Sequence, residues 1–206
     1  MQAGGKVWAP QNDDFKFDGP ITMRYALAQS KNVASVRILR ALGVSYTHDF
    51  LEKFGFDPAR QPSNLTMALG TGSVTPVQMA GAYALFANGG HQVEPYLIDR
   101  IVDARGAILM QTKPPAPNDD KTLALDPRNA FVMDSMLREV ARTGTGAAAT
   151  KKLGRSDIAG KTGTTSDAVD GWFAGYGGGI VAVSWMGYDD SKSLGGKEFG
   201  ATLALP

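Results

Sequence analysis

The chain has 206 residues, 43% of them hydrophobic, which is enough for a single domain with a substantial core. Lysine and arginine total 21 against 20 aspartates and glutamates, so the chain lacks the basic surplus that favours nucleic-acid binding, and we expect no nucleic-acid partner. The chain has no cysteine, which excludes disulfides and cysteine-based metal sites. With only two histidines, the sequence also argues against a multi-histidine metal site and a Ser-His-Asp triad.

Residues 1–95 are predicted to be mainly helical. A helix opens at residues 20–22 and breaks at Ser30-Lys31-Asn32, after which apolar residues recur at helical spacing until Gly43 ends the second segment. Ser30 and Asn32 are therefore predicted to lie at a junction between two helices.

Two further helices in this part carry their own start and stop signals. Ser45 is predicted to cap a short helix that runs through Phe54. Thr75 is predicted to cap a longer helix through Asn88, with Gln78 completing a capping box. Glycines follow both helices, as is typical of helix C-termini.

The rest of the chain divides into residues 96–150 and residues 151–206. The first part is predicted to contain strands over residues 96–103 and 107–111, a linker over 114–120, and a helix that starts at Asp126-Pro127 and runs into a mobile Thr-Gly-Thr-Gly loop at 143–146. The second part is predicted to contain strands over residues 158–162, 171–176 and 180–187. No internal repeat is evident, and we treat the three parts as one domain.

A polar run, Lys161-Thr162-Gly163-Thr164-Thr165, lies at the start of a predicted edge strand. It presents an ammonium group, two hydroxyls and a backbone amide along one narrow groove, which suits a peptide that carries a carboxylate. Gly163 lets a ligand backbone lie close to the strand and add to it. Ser30 and Asn32, opposite that strand, are placed to pass a proton and to hold a substrate amide. Each motif alone also fits a plain polar helix junction or strand start.

A phosphate-binding loop is a competing interpretation, because Gly160-Lys161-Thr162 matches the end of that motif. The motif requires four residues between its first glycine and the Gly-Lys pair, and a helix after it. Here five residues separate Gly154 from Gly160, and a strand is predicted to follow. We therefore rank nucleotide binding below peptide binding.

Three ordered stretches of sequence join these motifs: residues 26–44 around Ser30, residues 67–90 along the Thr75 helix, and residues 160–190. Together they resemble the transpeptidase domain of class A, or bifunctional, penicillin-binding proteins, whose motif set is Ser-x-x-Lys, Ser-x-Asn and Lys-Thr-Gly. The resemblance implies a partial transpeptidase fold of the penicillin-binding-protein and β-lactamase type. This α+β fold has an antiparallel sheet flanked by helices, and we expect it to be incomplete at both ends.

The resemblance also implies a reaction and roles for residues. Enzymes of this family cross-link peptidoglycan: a serine attacks a stem peptide that ends in D-alanyl-D-alanine, and an amine of a neighbouring stem takes up the acyl group. The catalytic residues would be Ser30 as proton relay, Lys161 as its orienting group, and Thr164 as an oxyanion donor through its N–H. The substrate-binding residues would be Asn32, Thr162, Gly163 and Thr165. β-Lactams would bind the same groups, and no metal or organic cofactor is implied.

The nucleophile of this motif set is missing, because no serine in the chain is followed by a lysine three positions later. We expect a fragment that is inactive alone and completed by an upstream segment of the same domain. Two alternatives stay open. One is a non-catalytic module that binds D-alanyl-D-alanine or β-lactams; the other is an enzyme that uses Ser30 as nucleophile, which the adjacent position of Lys31 disfavours.

The expected location follows from the resemblance and from what the sequence lacks. No stretch reaches the roughly 18 apolar residues of a membrane span, and the first five residues lack the features of a signal peptide. We expect any anchor or export signal to lie outside this chain, and the parent protein to act in the periplasm, at the extracytoplasmic face of the bacterial inner membrane. A fragment would expose apolar surface, so we also expect a homo-oligomer or a complementary segment as partner.

Overall fold

A computed structural model describes residues 2–3, 6–116, 119–196 and 198–206. Its helices are α1 (Met23–Ala28), α2 (Asn32–Leu42), α3 (Val44–Phe50), α4 (Pro76–Ala87), α5 (Pro127–Thr143), α6 (Ala147–Leu153) and α7 (Gly200–Leu203). Its strands are β1 (Gln2–Ala3), β2 (Lys6–Val7), β3 (Arg100–Val102), β4 (Ile108–Gln111), β5 (Ala159–Thr164), β6 (Asp170–Gly177) and β7 (Ile180–Gly187). Positions 117 and 118 of the expected linker lie outside the described residues.

The strands β5, β6 and β7 form an antiparallel sheet in chain order, with β6 in the centre and β5 at one edge. Because side chains alternate along a strand, Ala159 and Lys161 of β5 lie on the same face as Tyr176 of β6. The three predicted strands are confirmed, as is the edge position of the strand that carries Lys161.

Helices cover both faces of this sheet around β5 and β6. On one face, α4 packs against β6 and β7, and α5 packs against β5. Leu137 of α5 forms a buried cluster there with Ala159 and Tyr176. On the opposite face, α7 lies against Gly171, close enough that an added Cβ there would be 3.5 Å from the Gly200 Cα. The expected α+β architecture, an antiparallel sheet flanked by helices, is confirmed.

Local sequence signals set several helix ends. Thr22 Oγ1 accepts a hydrogen bond from the Tyr25 N–H at the start of α1, and Gly43, with a φ of +95°, ends α2. Thr75 and Gln78 form the predicted capping box at the start of α4. The predicted junction between α1 and α2 is also confirmed.

The prediction that Ser45 caps a helix is wrong. The helix α3 begins at Val44, directly after Gly43, so Ser45 lies within its first turn. Beyond Phe50 the chain continues as a 3-10 turn over Leu51–Phe54 rather than as α-helix. The positive φ that Gly43 adopts, which glycine tolerates without strain, reorients the chain at once, and no capping side chain is needed to separate α2 from α3.

Two further predictions need correction, and one helix was missed. The strand expected over residues 96–103 is limited to β3, because it pairs only with the short β4. The helix α6 was not predicted, although an alanine run at residues 147–149 favours helix. The loop at 143–146, expected to be mobile, is held by hydrogen bonds: the Thr145 N–H donates to the Ala28 carbonyl oxygen at 3.1 Å.

The hairpin of β3 and β4 exposes apolar side chains. Every residue of the two strands is exposed, including Ile101, Ile108 and Leu109. Exposed apolar surface of this kind marks association sites, and the expected oligomer stays a prediction. Of the helices that the structure describes, none is long and apolar enough to cross a lipid bilayer.

Leu85 in α4 is fully buried, and its replacement tests the packing of α4 in the core. We expect Leu85→Ala to lower the free energy of unfolding by about 2–5 kcal/mol, because it leaves a cavity in the core. Denaturant unfolding followed by circular dichroism measures this change. The control is Leu97→Ala: Leu97 is 96% exposed, and its loss should change stability by less than about 0.5 kcal/mol. Equal effects of the two substitutions would contradict this description of the core.

Candidate active site

The site lies where the α1–α2 junction meets β5. Lys161, in the middle of β5, donates hydrogen bonds from Nζ to Ser30 Oγ at 2.8 Å and to the Thr162 carbonyl oxygen at 2.9 Å. Ser30 has a φ of +53°, a left-handed conformation that interrupts the helical path and turns the residue towards β5. The structure thus brings together two predicted catalytic residues that are 131 positions apart in sequence.

The electrostatic environment of Lys161 suits proton transfer. Burial lowers the pKa of its ammonium group from 10.5 to about 8, and the nearby Asp13 carboxylate counteracts part of this effect by raising the pKa. A lysine with a pKa close to the ambient pH gives up and regains its proton readily. Because Ser30 Oγ accepts a hydrogen bond from this ammonium group, its own proton is directed elsewhere.

The free edge of β5 presents backbone groups to the cavity. The Thr165 N–H donates to the Asp170 carbonyl oxygen at 3.1 Å, which sets the alternation of hydrogen bonds between β5 and β6. By this alternation, Thr162 and Thr164 turn their backbone N–H and C=O groups away from β6. An extended peptide can pair with such groups as an added strand.

The hydroxyl groups of the Lys-Thr-Gly-Thr run are arranged differently from the prediction. Thr162 and Thr164 lie on the face of β5 opposite to Lys161, because side chains alternate along the strand. Thr162 Oγ1 is 2.7 Å from Thr145 Oγ1, and Thr164 Oγ1 accepts a hydrogen bond from the Gly200 N–H at 2.9 Å. All three side chains of the run nevertheless line one cavity of about 1060 Å³, which wraps around the strand edge and replaces the expected narrow groove.

Asn32 is held by the segment that precedes α1. Its Nδ2 donates to the Gln11 carbonyl oxygen and to Asp13 Oδ1, both at 3.1 Å. These bonds use both amide hydrogens and leave Oδ1 as an acceptor, which meets no donor within residues 2–3, 6–116, 119–196 and 198–206. Asn32 lines the same cavity as Ser30 and Lys161.

Gly163 and Thr165 also line the cavity, and both have partners inside the protein. A Cβ on Gly163 would lie 3.3 Å from the Trp172 Cβ, so packing against β6 favours glycine as much as an open edge does. Thr165 Oγ1 accepts a hydrogen bond from the Asp170 N–H at 2.7 Å and closes the turn after β5. Their contacts with a substrate stay predictions.

Thr145 lines this cavity and was missed by sequence reasoning. It lies in the loop between α5 and α6, and its hydroxyl forms a hydrogen bond with that of Thr162, in which either group can be the donor. Since one of the two hydroxyls donates to the other, the second retains a proton for a ligand. The glycine next to it was the available signal: Gly144 packs so closely on the Ala28 carbonyl group that no Cβ fits there.

The groups that meet in the cavity suit one kind of ligand. An ammonium group, hydroxyls and outward-facing backbone N–H groups are donors for a carboxylate and for the oxyanion of acyl transfer. Among the residues described by the structure, no group of three or more His, Cys, Asp or Glu side chains is placed to hold a metal ion. The site therefore offers donors for an anionic group and a lysine that can move a proton near it.

The lowered pKa of Lys161 predicts a specific pH dependence of stability. Between about pH 8 and about pH 10.5, the unfolded chain holds a proton that the folded chain has released, so raising the pH favours the folded state. We expect the free energy of unfolding to include a rising contribution over this range, measured by denaturant titration at several pH values. Lys161→Met should lack this contribution, and equal pH profiles of the two proteins would contradict the lowered pKa.

The sequence matches a known family over most of its length. The model of the penicillin-binding protein transpeptidase domain matches residues 1–192. The chain is 47% identical to penicillin-binding protein 1A of Neisseria cinerea, covering 99% of this chain and 25% of that protein. It is 39% identical to penicillin-binding protein 1A of Pseudomonas aeruginosa, covering 98% of this chain and 30% of that protein. The chain thus spans less than a third of the length of these relatives.

Solved structures give the same result. Penicillin-binding protein 1A from Haemophilus influenzae superimposes with a TM-score of 0.91 at 33% identity, covering 100% of this chain and 36% of that one. An imipenem acyl-enzyme complex of penicillin-binding protein A from Mycobacterium tuberculosis shares the fold, with a TM-score of 0.75 at 18% identity and coverage of 89% and 47%. From the family match and the identity along nearly the whole chain, we conclude that the chain belongs to the penicillin-binding protein transpeptidase domain family.

Proposed function

We propose that the chain is part of a serine-type DD-transpeptidase, which cross-links peptidoglycan stem peptides that end in D-alanyl-D-alanine. The observation that carries this proposal is the 2.8 Å hydrogen bond from Lys161 Nζ to Ser30 Oγ beside the free edge of β5. Membership of the family supports it. The chain would contribute the proton relay and the peptide-binding groups, while a Ser-x-x-Lys motif, which the printed sequence lacks, would contribute the nucleophile.

The proposed relay acts when the bond to the terminal D-alanine breaks. The nucleophilic serine gives its hydroxyl proton to the lysine of its own motif and attacks the carbonyl carbon of the penultimate residue; the C–N bond to the last residue breaks, and the leaving nitrogen takes up a proton. Ser30 donates this proton, and Lys161 replaces it through their hydrogen bond. The low pKa of Lys161 supports this role, because the transfer between the two groups then costs little.

The proposed binding site for the substrate carboxylate lies around the edge of β5. Lys161 attracts the carboxylate, and the hydroxyls of Thr162 and Thr164 donate to it. The partners of these hydroxyls support the role: Thr164 Oγ1 accepts from the Gly200 N–H, so its proton remains available for donation. The same groups would bind β-lactams, which imitate D-alanyl-D-alanine.

The remaining predicted residues fit the backbone of a substrate that pairs with β5. The outward-facing Thr164 N–H would donate to the oxyanion, and Asn32 would accept a substrate amide N–H through Oδ1. Gly163 and Thr165 border the same path along the strand. These assignments give each of them a contact with the substrate.

One observation argues against Lys31 as the base that would activate Ser30 as a nucleophile. Lys31 forms ion pairs with Asp14 and Asp18, each at 2.7 Å, and does not serve as a base for Ser30. Binding without catalysis remains the second candidate, because the groups that would hold a carboxylate are present in the cavity. Nucleotide binding is less favoured, because Lys161 is followed by strand where a phosphate-binding loop would open a helix.

The location and partners follow from the proposed reaction. Peptidoglycan lies outside the inner membrane, so the parent protein would act in the periplasm. Stem peptides and β-lactams would be its ligands. The exposed apolar hairpin of β3 and β4 would associate with another copy or with a complementary segment of the parent protein.

Intact-mass spectrometry after incubation with benzylpenicillin tests the catalytic assignment. We expect no mass gain for the chain alone, because it lacks Ser-x-x-Lys. The control is Ser30→Ala under the same conditions. A single adduct on the wild-type chain that is lost in this variant would make Ser30 the nucleophile and overturn the proposal.

Binding of a tripeptide that ends in D-alanyl-D-alanine tests the carboxylate site separately from acylation. We expect Thr164→Val to weaken binding about tenfold to a hundredfold, since it removes one hydrogen bond to a charged group. Isothermal titration calorimetry measures the dissociation constant. Thr112→Val is the matched control, because Thr112 donates its hydroxyl proton within the β3–β4 hairpin. Equal affinities for the two variants would contradict the assignment of Thr164.

A further inference from the structure

Lys31 is the middle residue of its motif and is buried, which is unusual for a lysine. Its side chain is only 7% exposed, and its ammonium group lies 2.7 Å from Asp14 Oδ2 and 2.7 Å from Asp18 Oδ2. Both aspartates belong to residues 11–18, a segment that crosses the α1–α2 junction and that we call the strap. A buried lysine with two carboxylate partners fastens this segment to the junction, because separating them would leave a buried charge unpaired.

The strap also supplies the cap that α2 lacks. Lys31 is the N-cap residue of α2, and its side chain makes no cap hydrogen bond because an ammonium group cannot accept one. Asn12 of the strap replaces it: its buried Oδ1 accepts a hydrogen bond from the Val33 N–H at 3.1 Å. Asn12 Nδ2 donates to the Lys16 carbonyl oxygen, which holds the strap in its own turn.

The same segment orients Asn32. Its two amide hydrogens are taken by the Gln11 carbonyl oxygen and by Asp13 Oδ1. The strap therefore decides which end of the Asn32 amide faces the cavity. Without it, either end could turn inward, and the proposed acceptor would lose its fixed direction.

Ser30 depends on the same support. Its φ of +53° is a left-handed conformation that costs a residue with a Cβ about 1–3 kcal/mol and persists only when its surroundings impose it. On one side of Ser30, the Lys31 N–H donates to the Ala26 carbonyl oxygen at 2.8 Å. The strap also fixes the side chain of Lys31, the residue that follows Ser30.

We propose that Lys31 is a positioning residue that, through Asp14 and Asp18, holds the strap on the α1–α2 junction and so fixes Ser30 against Lys161 and Asn32 towards the substrate. This inference rests on the proposed function, since it assigns those residues their roles. Lys31 itself touches neither the substrate path nor Ser30 Oγ. The hydrogen bonds that it donates to Asp14 and then Asp18 raise its pKa above the usual value, so it remains a cation in the clamp across the range in which Lys161 titrates.

The test measures Lys161 without any ligand. Titration of the lysine side-chain NMR signals, with Lys161→Arg to assign the signal, gives the Lys161 pKa, which is about 8 in the intact site. We expect Lys31→Met, Asp14→Asn and Asp18→Asn each to raise this pKa towards 10.5, because a loosened junction lets water reach the ammonium group. Lys31→Arg, which keeps the charge, should remain close to the wild type.

The direction of the change separates positioning from direct electrostatics. Replacing Asp14 or Asp18 by asparagine removes a negative charge, and loosening the strap would also withdraw Asp13, whose carboxylate raises the Lys161 pKa; each of these changes by itself would lower that pKa. A rise therefore reports lost burial. Arg155→Met is the control, because it removes an ion pair of similar length, with Asp157, away from the strap, and should leave the Lys161 pKa unchanged.

A second measurement links the clamp to ligand binding. We expect Asp14→Asn and Asp18→Asn to weaken binding of the D-alanyl-D-alanine tripeptide at least about threefold, and Arg155→Met to leave it unchanged. If the clamp variants lower only the melting temperature and leave the Lys161 titration as it is, the proposal is overturned. The asparagine variants decide the question if Lys31→Met does not fold. A wild-type chain that binds no tripeptide would contradict the proposed function, while the titration would still decide the role of Lys31.

Discussion

The hydrogen bond between Lys161 and Ser30 joins the helical part of the chain to the sheet, and the geometry of the site depends on it. Three features allow it to form. The edge position of β5 leaves Lys161 next to the helices rather than between strands. The left-handed conformation of Ser30 breaks the helix where its hydroxyl meets Lys161. The close packing of Gly144 on α1 brings the helices near the sheet. Each feature has an energetic cost or a steric demand that only the folded protein meets.

The site is thus a strained and partly desolvated region supported by ordinary packing elsewhere. Burial destabilises the charged form of Lys161, as its low pKa records, and Ser30 adds the strain of its backbone conformation. The compensation comes from the buried cluster around Leu137 and from the two carboxylates that neutralise Lys31. Such a division between a stable core and a strained site is common in enzymes, because reactive groups need an environment that does not satisfy them fully.

Sequence reasoning succeeded where the signal was local. The capping box of Thr75 and Gln78, the end of α2 at Gly43 and the strand that carries Lys161 all follow from residues within a few positions of one another. Proximity of Ser30 to Lys161 was also predicted, and the resemblance to a family strengthened this prediction by linking two motifs that are weak when taken singly.

The features that escaped prediction depend on contacts between distant segments. The cap of α2 is Asn12, which accepts a hydrogen bond from an N–H 21 positions later in the sequence, so no local pattern predicts it. Thr145 reaches the site because Gly144 fits against α1, a packing relation that composition does not reveal. The face on which the Thr162 and Thr164 hydroxyls lie was missed for a simpler reason: strand alternation separates them from Lys161, and the motif was considered as a flat row of donors.

The open edge of β5 has a consequence for the behaviour of many copies in solution. A strand edge that is left open for a peptide, as proposed here, is also available to the same strand of another molecule, which is the usual route to edge-to-edge aggregation. An antiparallel pair of β5 strands centred on Lys161 would bring two ammonium groups close together. The lysine that we propose attracts a carboxylate would therefore also repel Lys161 of another molecule, which would help to keep the edge unpaired.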